Sequence, residues 1–226
     1  MSHMHIPDGV LPVWLVAAGW IVTAVILALC IKRVSGTDLK RKIPLLGIIS
    51  AIMIVGMTLE IVPIAYHINL TVVAGIVLGP SLAFIAVFIV DLLISMFGHG
   101  GVTVVGLNTI IIGAEAVLGY YLFQFLREIM SNKSMFWESS LAALLSLFLS
   151  TSLMLGIIYL SHINPVKLGN VGQLITETGT GINFSRFAKT VFILSPLGWI
   201  LEAVVTGLVI KYVFRVRPDL ILQERA

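Results

Sequence analysis

Near the start of the chain stands Met4-His5-Ile6-Pro7-Asp8-Gly9, a histidine followed at once by a turn-forming Pro-Asp-Gly. If Met4 carries the free amine, that amine, the His5 backbone amide and the His5 imidazole can close two fused chelate rings around one cation. The three nitrogens are then nearly coplanar and leave one square-planar position open, a geometry suited to Ni(II) or Cu(II). A second histidine brought from elsewhere would complete the site, and Pro7 with Asp8-Gly9 would fold the tail back toward the rest of the chain. The plainer alternative is a short disordered tail, or a cloning remnant in Ser2-His3-Met4. Cys30 is the only cysteine. No intramolecular disulfide or cysteine cluster can form, so metal donors must be nitrogen or oxygen.

The elements that position these residues follow from composition. Of 226 residues, 58% are hydrophobic and 11% charged, with a mean hydropathy of +1.07, whereas soluble domains carry about 25% charged residues. A soluble core of this size cannot hide so much apolar surface, so lipid is the solvent, and lipid admits only helices or closed barrels. Long unbroken apolar runs select helices: Leu11–Ile31, Ile43–Ile64, Ser81–Phe97, Leu107–Leu126, Ser139–Leu160 and Val191–Phe214. The first has no basic segment before it and is too long for a signal-peptide core, so it reads as a retained helix. Between the second and third, Asn69–Leu78 is short and closed by Gly79-Pro80, either a short tilted span or a re-entrant piece. Counting it gives an all-α polytopic protein of about seven spans in one domain: a tail at 1–10, a bundle at 11–217 and a second tail at 218–226. Gly75-xxx-Gly79 and Ala24-xxx-Ala28 supply small-residue spacing for close helix packing.

Lys32, Arg33, Lys40, Arg41 and Lys42 follow the first run, Arg127 and Lys133 the fifth span, and Lys211, Arg215, Arg217 and Arg225 the last. Seven spans put all of them on one side, the cytoplasmic one by the positive-inside rule. The N-terminus is then expected outside and the C-terminus inside. Basic residues so placed set topology, so the net charge of +3 gives no reason to invoke nucleic acid. The outer side collects Met1–Val10, Val62–Ile68, Gly98–Gly106 and Ser161–Lys189, and these hold all five histidines: His3, His5, His67, His99 and His162. Histidine sits comfortably at interfaces, but it is also the commonest metal ligand, and sorting of all five to one side points to metal.

Asp91, Glu115 and Glu202 fall near mid-helix, where a charge costs at least about 2.5 kcal/mol and no Lys or Arg lies at comparable depth. They are expected to face inward. A hydrogen bond between helices, or to a partner subunit, is the favoured role; a proton or metal path is the alternative.

Three ordered motifs make the sequence resemble the CbiM/NikM family, the substrate-binding membrane components of energy-coupling-factor (ECF) transporters for cobalt and nickel. They are Met4-His5-Ile6-Pro7-Asp8-Gly9; Tyr66-His67-Ile68 ahead of Ala74-Gly75 and Leu78-Gly79-Pro80; and Gly100-Gly101-Val102-Thr103 with Gly106 and Asn108. From Leu118 onward only hydropathy is compatible. The resemblance implies a metal held by the Met4 amine, the His5 amide and imidazole, and His67. It implies a closing loop at Gly100, Gly101 and Thr103, with Asn108 close by and Asp8 in the turn. Two features depart from the family pattern. Met1-Ser2-His3 precedes the expected start, so a chain beginning at Ser2 would build the chelate from Ser2 and His3. His99 stands where the family more often has an acidic residue; an interfacial role in contact with water is favoured over one in tuning affinity.

The resemblance further implies a membrane coupling protein, two cytoplasmic ATPases and, often, a small accessory membrane protein as partners. A chain without G-x-x-x-x-G-K-[ST] needs nucleotide hydrolysis on another protein. The expected function is capture of Co(II) or Ni(II) as transported ion, for cobalamin synthesis or nickel enzymes, with no prosthetic group. Coplanar nitrogens lean toward nickel and many relatives toward cobalt. A self-sufficient proton-coupled carrier using Asp91, Glu115 and Glu202 is the alternative. A membrane metalloenzyme is weaker, since H-E-x-x-H is absent.

Overall fold

The structure is a computed structural model that describes residues 5–9, 11–34, 39–59, 67–130, 134–161 and 184–221. Among the described residues its regular secondary structure is all helical: α1 (Val13–Arg33), α2 (Leu39–Thr58), α3 (Thr71–Leu78), α4 (Pro80–Met96), α5 (Val105–Ile129), α6 (Met135–Leu160) and α7 (Phe184–Val216), then a 3-10 turn at Pro218–Leu220. Four helices, α1, α5, α6 and α7, are long and apolar enough to cross a bilayer, while α2 and α4 contain shorter apolar stretches. The chain is a multi-pass membrane protein.

Neighbouring contacts fix the directions. Phe84 of α4 lies against Gly113 of α5, and Thr109 donates to Asp91 at 3.2 Å, so these two helices run antiparallel. Pro80 and Ser81 sit beside Cys30, Arg33 and Tyr121, whereas the His67 ring lies 5.8 Å from that of His99. The path from His67 to Pro80 therefore traverses the bundle from an end that carries histidines to an end that carries arginines and lysines. The short segment therefore runs the length of α4, in keeping with a crossing. Its helical part, α3, has eight residues, only about 12 Å of rise, and 67–70 complete the passage in non-helical form.

Non-helical backbone at membrane depth survives only if its polar groups find partners inside the protein. Here the two mid-span glutamates supply them. Glu202 of α7 accepts the Asn69 and Leu70 N–H groups at 3.2 and 3.1 Å through one oxygen. Asn69 accepts the Thr71 N–H at 3.0 Å, and its side chain donates to Glu115 of α5 at 3.1 Å. Ser150 of α6 donates to the other Glu115 oxygen at 2.9 Å. The inward-facing role in helix bonding expected for Glu115 and Glu202 is what the geometry displays. Leu70 adopts φ +55, a left-handed turn that an L residue takes only under constraint, and it launches α3 from this carboxylate nest.

All eight residues of α3 are buried. A Cβ at Gly75 would meet the Ala116 carbonyl of α5, so the small residue permits backbone-on-backbone packing. Gly79, at φ +79, ends α3 and begins α4, with Pro80 as first residue, where a missing N–H costs nothing. In α1 only Gly19 and Thr23 are buried, with Ile21, Val25 and Leu29 exposed, the pattern of a helix facing lipid. Two ends depart from the hydropathy runs. α7 starts at Phe184 rather than Val191 because Arg186 and Lys189 dilute the apolar signal of its first turns. Ile221, assigned to a tail, is 2% exposed and joins the main core.

Candidate metal centre

The site is built from the N-terminal tail outward. Ile6 is fully buried and packs in an apolar cluster with Leu11, Val104, Leu107, Leu155 and Phe187. The tail is thus threaded into the bundle and anchored by a core residue. Asn108, near the start of α5, reads its backbone on both sides. The Ile6 N–H donates to Asn108 Oδ1 at 3.1 Å and Asn108 Nδ2 donates to the Ile6 carbonyl at 3.3 Å, while the Gly101 N–H donates to the same carbonyl at 3.2 Å.

One turn further, the Asp8 carboxylate accepts the Val102 N–H at 3.0 Å, the Thr103 N–H at 2.8 Å and the Thr103 hydroxyl. The Thr103 hydroxyl bond holds the Asp8 carboxyl below the usual carboxylate range, with the Val102 and Thr103 amides adding to it. Asp8 therefore stays anionic at neutral pH and clamps the tail to the loop 98–104. That loop can lie so close because it lacks side chains at two places. A Cβ at Gly100 would stand 2.9 Å from the His5 Cβ, and one at Gly101 would strike the Asp8 nitrogen and carboxylate. Gly100 also takes φ +87, open to glycine at little cost. From the far side α1 braces the loop: Trp20 donates its indole N–H to the Thr103 carbonyl at 2.7 Å and Thr23 its hydroxyl to the Gly106 carbonyl at 2.6 Å.

With the tail clamped, three imidazoles and one carboxylate lie at this end of the bundle as two neighbouring pairs. His5 Nδ1 lies 4.0 Å from Asp91 Oδ1, an oxygen that has no hydrogen-bond partner among the described residues. The rings of His67 and His99 meet edge to face at 5.8 Å. Burial first, and the proximity of His67 and His99 after it, bring the His5 imidazole down to about 4. His5 is accordingly a neutral nitrogen donor at physiological pH, the form a metal requires.

Sequence reading placed His5, Asp8, His67, Gly100, Gly101, Thr103 and Asn108 in one site, and the structure gathers all of them at one end of the bundle. Met4, Ser2, His3 and His162 lie outside the described residues. Among the described residues no three His, Cys, Asp or Glu side chains surround a common point closely enough to hold an ion; a site here would need backbone or terminal nitrogen as well. Three participants were not assigned to the site from sequence. Asp91 was legible only as a buried carboxylate, Trp20 carried no signal at all, and His99, weighed as interfacial or affinity-tuning, has its ring against His67.

Comparison with known proteins gives a consistent picture. Residues 5–220 match the family described as the cobalt uptake substrate-specific transmembrane region, CbiM. A candidate metal transport protein of Haloquadratum walsbyi is 30% identical, covering 98% of this chain and 94% of that one. The cobalt transport protein CbiM of Geobacter sulfurreducens is 29% identical over 96% of this chain and 61% of its own length. A crystal structure of a transition metal transporter superposes with a TM-score of 0.74 at 23% identity, covering 94% of this chain and 93% of that one; at this identity the likeness speaks for the fold.

Proposed function

The chain belongs to the CbiM family, the cobalt uptake substrate-specific transmembrane proteins, and from that membership we propose that it is the substrate-capture subunit of an ECF-type importer for Co(II) or Ni(II). Its place in metal transport follows from the family; the metal, the ligand set and the assembly are our reading. The ligands are the amine that precedes His5, Met4 or its upstream counterpart, the His5 amide and imidazole, and His67. The observation that carries this is the docked tail. Asn108, Asp8 and the glycine loop fix the backbone at residues 6–8, which sets the neighbouring His5 amide and imidazole into the mouth toward His67.

The histidine end is the outer face in this reading and the basic end the cytoplasmic one, in keeping with Arg33, Arg127 and Arg215 at the last turns of α1, α5 and α7. The ion is substrate rather than resident cofactor. A coupling membrane protein and two cytoplasmic ATPases supply the energy, and a small accessory membrane protein completes many such assemblies.

The proton-coupled carrier loses ground on geometry. Glu115 and Glu202 bond an interrupted span instead of lining a path. Uptake measured in vesicles separates the two readings: capture and import that need ATP and the co-reconstituted partners support ours. Uptake by this chain alone, driven by a pH gradient and abolished by Glu115→Gln, overturns it.

A further inference from the structure

His99 is not among the four nitrogens of the proposed chelate, and its setting gives it a separate task. It is held between Gly98 and Gly100, both at positive φ (+84 and +87), a conformation that glycine alone adopts at little cost. Its own N–H is tied to the Ile94 carbonyl at 3.1 Å, at the C-terminal end of α4. The bracket turns the ring inward against His67 and leaves the Nδ1 atom buried without a hydrogen-bond partner among the described residues. A buried imidazole nitrogen with no partner costs free energy. Just beside it, Met96, Phe97 and Gly98 are exposed at the rim. His99 therefore spans from the rim to His67, and the His5 side chain lies close against the adjoining Gly100 backbone.

We propose that His67 and His99 form a two-imidazole loading site through which a divalent ion passes on its way into the N-terminal chelate. The inference rests on the reading above, in which His67 is a final ligand. Its chemistry is that of anchored chelation. A hydrated Ni(II) or Co(II) does not displace the proton of a backbone amide readily, but an ion already held by imidazoles next to that amide does so. The pair exchanges bound water for two imidazole nitrogens, the ion draws in the His5 imidazole and terminal amine, and the His5 amide proton leaves to solvent as the nitrogen binds. His99 is then released. A ligand used only in transit speeds loading and unloading alike and leaves the end states untouched.

The test is the kinetics of Ni(II) alone with the purified full chain, comparing wild type, His99→Asn and His99→Phe, with helical circular dichroism as the check on folding. The expected result is that both variants slow association about tenfold and slow release to a chelator by the same factor, with Kd unchanged. Unaltered association overturns the loading site. So does a weakened Kd with faster release in folded variants, which would make His99 a permanent ligand. His67→Ala, measured alongside, reports on the chelate itself: undiminished affinity there overturns the underlying reading whatever His99 does.

Discussion

Asn108→Leu isolates the clamp that seats the N-terminal tail. The substitution keeps the branched shape of the side chain, with somewhat greater bulk, while removing both hydrogen bonds to Ile6, at 3.1 and 3.3 Å. The two losses are unequal. The Ile6 carbonyl keeps the Gly101 N–H, whereas the Ile6 N–H has only Asn108 in the docked tail. Ile6 is fully buried and Asn108 4% exposed, so water cannot replace the lost acceptor. One buried orphan donor costs about 1–3 kcal/mol. Because residues 5–9 bear the cost and the helices do not, it falls on tail docking, and metal affinity should drop by about 5- to 150-fold. Isothermal titration of Ni(II) and Co(II) into the detergent-solubilised variant measures the drop, and hydrogen exchange at the Ile6 amide reports docking independently. An affinity within about twofold of wild type, with the Ile6 amide still protected, would refute the claim that Asn108 seats the tail.

Gly101→Ala should weaken metal binding more than Asn108→Leu does, because its Cβ would strike the Asp8 nitrogen and carboxylate; equal affinity in a titration would contradict the close approach. Glu202→Leu removes the carboxylate that accepts the Asn69 and Leu70 N–H groups, a cost of about 2–6 kcal/mol, and should lower the thermal unfolding midpoint. Glu202→Gln keeps an acceptor oxygen and should retain both fold and transport, whereas a proton relay at Glu202 would lose transport in that variant. For pH, His5 is depressed to about 4 from an ordinary 6.5. The unfolded or undocked chain thus takes up its proton first as pH falls. Stabilisation of the docked tail is complete above about 6.5, declines between about 6.5 and 4, and is gone below, a total on the order of 3 kcal/mol. Histidine NMR shifts across that interval should show His5 neutral at pH 5.5 in the docked state; titration near 6.5 would contradict its burial.

Much of the fold was legible because lipid imposes a simple rule: long apolar runs must be helices. The run ends were less legible, since Arg186 and Lys189 mask the first turns of α7 and Lys40 to Lys42 mask those of α2. The crossing between α2 and α4 was countable from charge placement, but its mixed form was not. Non-helical residues at membrane depth depend on Glu202 and Glu115, which lie 133 and 46 positions from Asn69, and no local pattern encodes so distant a bond. In the candidate site the motif residues were legible as types, and their partnership was not. Asp8 read as a turn residue and proves also to accept two loop amides and the Thr103 hydroxyl. Gly101 read as loop and proves to be the space Asp8 occupies.

The central claim, a chelate at the N-terminal tail completed by His67, is tested most directly by Ni(II) and Co(II) affinity of His67→Ala beside wild type, on protein whose N-terminal residue has been sequenced. Loss of one of four nitrogen donors predicts a fall in affinity of at least about 100-fold for the preferred metal, equivalent to roughly 2.7 kcal/mol. Affinity that survives the substitution would contradict the account.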